Sequence, residues 1–186
     1  MARIPYPDLT HASEEVKKLA AALPPLNIFK MLPHVPTFLR GFGRLGTAIL
    51  SQAALDARLR ELIILRVGKC SPAPYEWQQH VPIGRACGVT EEEIAALERG
   101  DVTAACFAER DRVVLRFTDE LLAGPRASNA SLAAMRSEFS DREVCEAVLT
   151  VGYYMMVARF LETTGVDLEP AGMDASKVVL PRVTRG

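Results

Sequence analysis

The sequence predicts an all-α protein, and three observations carry that expectation. Helix start and stop residues recur along the whole chain, and apolar residues between them fall at helical spacing. No alternating β-branched run is bracketed by a hairpin dipeptide such as Asn-Gly or Asp-Gly. At 186 residues the chain suits one domain with arms, long enough to bury a core. We expect an arm and short helix over 1–25, a helical domain over 26–170 and a tail over 171–186.

Residues 1–12 read as an irregular, Pro-containing arm. Ser13 caps a short helix, "EEVKKLAAAL", that stops at Pro24-Pro25. After a Pro-bounded corner, a helix runs from about Pro36 to Leu50. Asp56 caps "ARLRELIILRVGK", which is apolar on several faces at Leu59, Leu62, Ile63, Ile64, Leu65 and Val67. Such a helix belongs in the centre of the fold. Ser71-Pro72 then reads as the cap and first residue of a helix ending near Gly88. Thr90-Glu-Glu-Glu93 is a capping box for a helix reaching Gly100. "ERDRVVLRFTDELL" is stopped by Gly124-Pro125, and two more helices follow, over Ser131–Glu138 and from Ser140 with its own capping box.

An internal echo links two of these segments. "LDARLRELIILRVG" (55–68) aligns without gaps to "FSDREVCEAVLTVG" (139–152), pairing Arg58 with Arg142, Leu65 with Leu149 and Gly68 with Gly152. A duplicated helical hairpin accounts for this economically. In that register Glu61 falls opposite Cys145. Counting back from Gly88 and Gly165 sets Glu76 opposite Tyr153 and His80 opposite Val157. The polar set belongs to the first copy alone.

Composition removes several function classes. Net charge is −1 with both signs interleaved, so the basic stripe of a nucleic-acid binder is missing. No apolar run approaches a membrane span, and the first residues lack an apolar leader core, so a cytoplasmic location is expected. Cys70, Cys87, Cys106 and Cys145 show neither C-x-x-C nor zinc spacing, and the acids and histidines are too scattered for a metal site.

Candidate chemistry concentrates in "APYEWQQH" (73–80). Glu76 and His80 are i and i+4 on one helix face, among Ala73, Ile83, Gly84 and Cys87. A carboxylate there can hold one imidazole nitrogen and leave the other free for proton transfer. The same pair on a solvated face would be only a minor stabiliser. Pro82 deletes a helical hydrogen bond just beyond the histidine, which suggests a cleft. Glu61 lies on a helix of Leu, Ile and Val, where a buried carboxylate needs a partner such as Arg58 or Arg60, or a proton-transfer role. Tyr75 and Trp77 flank Glu76 and read as core or as substrate contacts. Cys87 sits at a helix C-terminal end, which disfavours thiolate; Cys70 lies near a helix start, which favours it. His34 reads as a corner residue, and His11 lies in the arm.

"RELIILRVGKCSPAPYEWQQHVPIGRACGVTEEEIAAL" resembles the core of the carboxymuconolactone decarboxylase family, which includes alkylhydroperoxidase D-like proteins; "FSDREVCEAVLTVGYYMMVARFLETTGVDL" resembles the second half of its longer members. The resemblance implies an alkylhydroperoxidase D-like helical bundle with an internal duplicated helical unit, assembled as a trimer or hexamer and acting on a small molecule without a cofactor. The peroxidase branch carries C-x-x-C before the histidine. Here Ala73 and Glu76 hold those positions, while Glu61 stands where that branch has its relay carboxylate. The decarboxylase branch resembles this chain in having Glu four residues before His. By that resemblance His80 donates a proton, Glu76 orients it, Glu61 is a second acid/base and an Arg, with Arg85 the first guess, holds substrate carboxylates. The expected activity is decarboxylation of a small carboxylated lactone. The alternatives are a thiol peroxidase using Cys70 or Cys87, and a non-catalytic helical oligomer that binds a ligand.

Overall fold

The computed structural model describes residues 1–179; residues 180–186 of the expected tail lie outside the described residues. The described residues are helical with no strands. In order they form α1 (Glu14–Ala21), α2 (Asn27–Met31), a 3-10 turn (Leu32–His34), α3 (Pro36–Ser51), α4 (Ala57–Cys70), α5 (Pro74–Ala86), α6 (Glu91–Arg99), α7 (Glu109–Ala123), α8 (Asn129–Glu138), α9 (Asp141–Thr164) and α10 (Ser176–Val179).

Local chemistry sets most boundaries. The Ser13 side chain accepts from the Val16 N–H, and Asp56 accepts from the N–H groups of Arg58 and Leu59. Thr90 with Glu93 and Ser140 with Glu143 close reciprocal capping boxes. Gly100 and Gly165 end α6 and α9 at φ of 80° and 68°, a left-handed conformation that a side chain would strain. One boundary differs from the sequence expectation. Ser71 and Pro72 form the turn after α4, and α5 begins at Pro74 with Ala73 as its cap residue. Pro74 holds Ala73 in an extended conformation (φ −110°, ψ 84°), which postpones the helix by one proline.

α4 is the axis of the molecule, packed by α5, α7 and α9. Its buried residues run almost without interruption from Leu59 to Leu65, with Val67 and Gly68 following. Arg58 binds both Asp111 oxygens at 2.9 Å and also reaches Glu93, tying α4 to α6 and α7. The duplicated unit is helical in both copies, but only the first is a hairpin. Where α4 turns at Ser71 into α5, the second copy runs on as one 24-residue helix, α9. By length and composition α9 could cross a membrane, with a mean hydropathy of 1.4 over eighteen residues, a run the sequence reading did not anticipate. Half of that window is buried within the bundle.

The arm is attached rather than loose. The N–H groups of Arg3 and Ile4 donate to the Thr164 carbonyl at the end of α9, and His34 Nε2 donates to the Pro5 carbonyl at 2.8 Å. His34 thus is a corner residue, as expected. After α9 the chain folds over the start of α5, where Glu169 is buried.

Candidate active site

Glu61, from the middle of α4, and His80, from α5, meet in the interior. Glu61 is fully buried, and its Oε2 accepts a hydrogen bond from His80 Nδ1 at 2.8 Å. Its other oxygen, Oε1, accepts from Arg60 Nε and Nη2, each at 3.1 Å. Arg60 is itself 4% exposed, so the arginine neutralises a carboxylate that would be costly to bury alone. The pair Arg60–Glu61 fixes the tautomer of His80: with Nδ1 donating, Nε2 is the nitrogen left for chemistry. Among the described residues Nε2 has no hydrogen-bond partner. The edge-on Tyr154 ring, 4.9 Å from the imidazole between centroids and at 88°, packs the ring in place.

This corrects the expected role of Glu76. It does not orient His80. Lying in the first turn of α5, it rests against Gly68, where an added Cβ would stand 3.2 Å from its Oε1. Glu61 reaches the imidazole across the helix pair already held by Arg60, and so displaces the i,i+4 partner. The Glu76 carboxyl is 2% exposed, and neither of its oxygens has a hydrogen-bond partner. Burial, with the nearby Glu162 charge adding, pushes it well above the usual carboxylate range. Burial therefore favours its neutral form.

Both side chains line a cavity of about 230 Å³ between α2, α3, α5 and α9. Its walls are mostly apolar, from Ile28, Phe29, Phe42, Leu50, Val157 and Leu161; its polar groups include Glu76, Gln79, His80, Tyr75, Tyr153 and Tyr154. No Lys or Arg is among the described lining residues. Tyr75 is in the wall, but its hydroxyl donates to Glu169 at 2.6 Å and accepts from the Ile28 N–H at 3.3 Å. Burial and the bond to Glu169 push its pKa up, against the lowering effect of the Ile28 N–H.

Two expected substrate contacts lie elsewhere. Arg85 is exposed near the end of α5 and bound to Glu91 at 2.5 Å, outside the cavity. Trp77 follows Glu76 by one residue, about 100° around the helix, and packs half-buried on the core rather than in the cavity wall. The cysteines are outside the lining too. Cys70 is the last residue of α4, not near the start of α5, so the helix dipole disfavours its thiolate. The Cys87 thiol is pushed up by burial and by the Glu61 charge. No cluster of three metal-ligating side chains occurs among the described residues.

Sequence reasoning missed Gln79, Tyr154 and the bracing by Glu169. The echo held a usable signal, because Tyr153 and Val157, the positions opposite Glu76 and His80, line the same cavity.

The bundle has the alkylhydroperoxidase D-like helical fold. The model of the carboxymuconolactone decarboxylase family matches residues 36–120, which carry α3 to α7 and the Glu61–His80 pair. Among solved structures, the chain is similar to an alkylhydroperoxidase D core, a peroxidase-related protein from Ralstonia eutropha, with 19% identity, a TM-score of 0.77, and 90% of this chain and 92% of that one covered. A putative antioxidant defence protein from Agrobacterium tumefaciens matches at 20% identity and a TM-score of 0.68, covering 75% of this chain and 95% of that one. The debrominase Bmp8, in complex with 2,3,4-tribromopyrrole, matches at 16% identity and a TM-score of 0.66, covering 93% and 89%. At these identities the likeness is one of fold. No curated protein matches the sequence.

Proposed function

We propose that this chain is an enzyme that moves protons to and from a small, mostly apolar molecule held beside His80, without a cofactor. The observation that carries this reading is the 2.8 Å bond from His80 Nδ1 to a Glu61 that Arg60 neutralises, on the wall of an apolar cavity. Such an imidazole is fixed in orientation and offers Nε2 as the working atom. Glu76 supplies a second, neutral acid one helical turn away.

The reaction that the resemblance puts first is decarboxylation of a small carboxylated lactone. The bond from the ring carbon to its carboxyl group breaks, and the electron pair spreads into the enoate. Protonated His80 then delivers a proton to carbon and is reprotonated from solvent. An apolar wall assists loss of a carboxylate's charge. With no cation in the described lining, the cavity suits a substrate whose only carboxylate is the one that leaves, and does not favour a molecule with two. In the test, purified protein is given γ-carboxymuconolactone and singly carboxylated lactones, and product is followed by absorbance. Turnover by the parent that is lost in His80→Ala with the fold retained supports the carboxy-lyase reading; no turnover of any lactone removes it.

The thiol-peroxidase alternative has little support, since no cysteine lines the cavity and Ala73 and Glu76 occupy the dithiol positions. A cysteine-free variant that still consumes peroxide at the parent's rate eliminates it. A ligand-binding role without catalysis predicts that Glu76→Gln and His80→Gln leave biological activity intact. We also propose a homo-oligomer, a trimer or hexamer, which light scattering on the eluted protein would measure.

A further inference from the structure

The α5 wall of the cavity has a definite hydrogen-bonding sense. Gln78 makes a reciprocal pair with the Glu169 backbone: its Nε2 donates to the Glu169 carbonyl at 3.2 Å, and its Oε1 accepts the Glu169 N–H at 3.0 Å. That pair fixes which end of the Gln78 amide is oxygen. The same Oε1 accepts from Gln79 Nε2 at 3.1 Å, which fixes the Gln79 amide in turn. Gln79 Oε1 is then left without a partner, as are both oxygens of Glu76. Glu76 and Gln79 are i and i+3 on α5, both are more than nine-tenths buried, and both line the cavity. Buried acceptors with no partner are costly, and a site that carries them selects a ligand that fills them.

We propose that Glu76 and Gln79 form a donor-reading wall, and that the cavity takes a compact neutral molecule with an apolar ring bearing an O–H or N–H. A hydroxyl suits it best: it donates to Gln79 Oε1 or the Glu76 carbonyl oxygen and accepts the acid proton of Glu76. The cavity exceeds the roughly 150 Å³ that encloses a benzene ring. Facing side chains from α2, α3 and α9 offer the ring Ile28, Phe29, Phe42, Leu50 and Val157. A ligand carboxylate is disfavoured at this wall, because it offers Gln79 Oε1 no donor and meets no Lys or Arg among the described lining residues. This deepens the broad acid–base reading by naming a neutral substrate class in place of the carboxylated lactone that the resemblance puts first, and it rests on the cavity being that site.

The test is a ¹⁹F NMR titration of the full chain with 4-fluorophenol, 4-fluoroanisole and 4-fluorobenzoate, which separates the hydrogen-bond donor from the ring. The phenol should bind at least about tenfold tighter than its methyl ether, with the benzoate weakest. In Gln79→Leu and in Glu76→Leu the preference for phenol over anisole should shrink to about twofold or less, with anisole binding held or improved. Equal affinity of the parent for phenol and anisole, or tighter binding of benzoate, overturns the proposal without needing any variant to fold. So does a preference that both variants retain. Because binding is read without turnover, a phenol preference in a protein inactive on every lactone leaves the wall standing and removes the carboxy-lyase reading. Lactone turnover without a phenol preference does the reverse.

Discussion

The first helical copy, α4 with α5, and its echo in α9 start from matched residues and end in different places. Leu65 is fully buried, whereas its match Leu149 is 59% exposed; Glu61 is fully buried, whereas Cys145 is exposed. Arg58 holds two buried carboxylates, while Arg142 makes an exposed i,i+4 pair with Glu146. The difference follows from position. α4 is enclosed by α5, α7 and α9, so a charge on its buried faces, such as Glu61, must be answered inside the protein. α9 is enclosed on one side only. Enclosure gives the same helical frame polar groups in one copy and a wall in the other: Glu76 and His80 present their polar groups to the cavity, and Tyr153 and Val157 close it around them.

The largest expected effect breaks the asymmetry at its chemical end. His80→Ala should lower turnover by about 10²–10⁴-fold, whereas Val157→Ala at the matched position should change it far less. Rates measured beside circular dichroism, to show both variants folded, check this. Equal losses would mean that the two positions share one packing role.

The next contrast is structural. Arg58→Ala leaves Glu93 and Asp111 buried and unpaired, and should cost about 3 kcal/mol or more. Arg142→Ala removes a surface pair and should cost less than about 1 kcal/mol. Denaturant unfolding of both proteins measures the gap.

Glu76→Gln probes the buried acid through pH. The carboxyl is raised in the folded state, so the folded chain keeps its proton after the unfolded chain has lost it. Below the ordinary glutamate range both states are protonated and the residue contributes no pH dependence. As pH rises through that range, the parent loses stability that the glutamine variant does not lose. The variant should therefore gain on the parent as pH rises from the ordinary glutamate range toward neutrality. A difference that stays constant across unfolding curves at those pH values contradicts a raised carboxyl.

The smallest effect compares the matched glycines. A Cβ at Gly152 meets nothing within 4 Å, so Gly152→Ala should stabilise the helix by about 0.5–1 kcal/mol. At Gly68 the Cβ crowds the Glu76 carboxyl at 3.2 Å, and the same change should be neutral or destabilising. Melting temperatures of the two variants should move apart.

Much of the fold was legible because caps are local. Ser13, Asp56, Thr90 and Ser140 needed only their next three residues to mark a helix start, and Gly100 and Gly165 marked ends by the backbone they permit. The start of α5 was misread by two residues because Ser71-Pro72 and Ala73-Pro74 offer competing signals, and the second proline decides. Glu61, Glu76 and His80 stood out as polar residues on apolar helices. Arg60, next to Glu61 on α4, was one of the two partners the sequence offered. Tyr154 and Glu169 did not stand out, because they reach the site through packing between helices or from the far end of the chain. Arg85 was misassigned for the same reason: charge type is written in the sequence, but which way the helix faces is not.

The Glu61–His80 bond is the feature on which the account turns, and ¹⁵N–¹H NMR of the His80 side chain tests it most directly. With the ring neutral, the account predicts a proton on Nδ1, protected from exchange, and a bare Nε2 whose resonance shifts when 4-fluorophenol enters the cavity; Glu61→Gln should release that protection. A ring protonated on Nε2, or an Nδ1 proton that exchanges as fast in the parent as in Glu61→Gln, would contradict it.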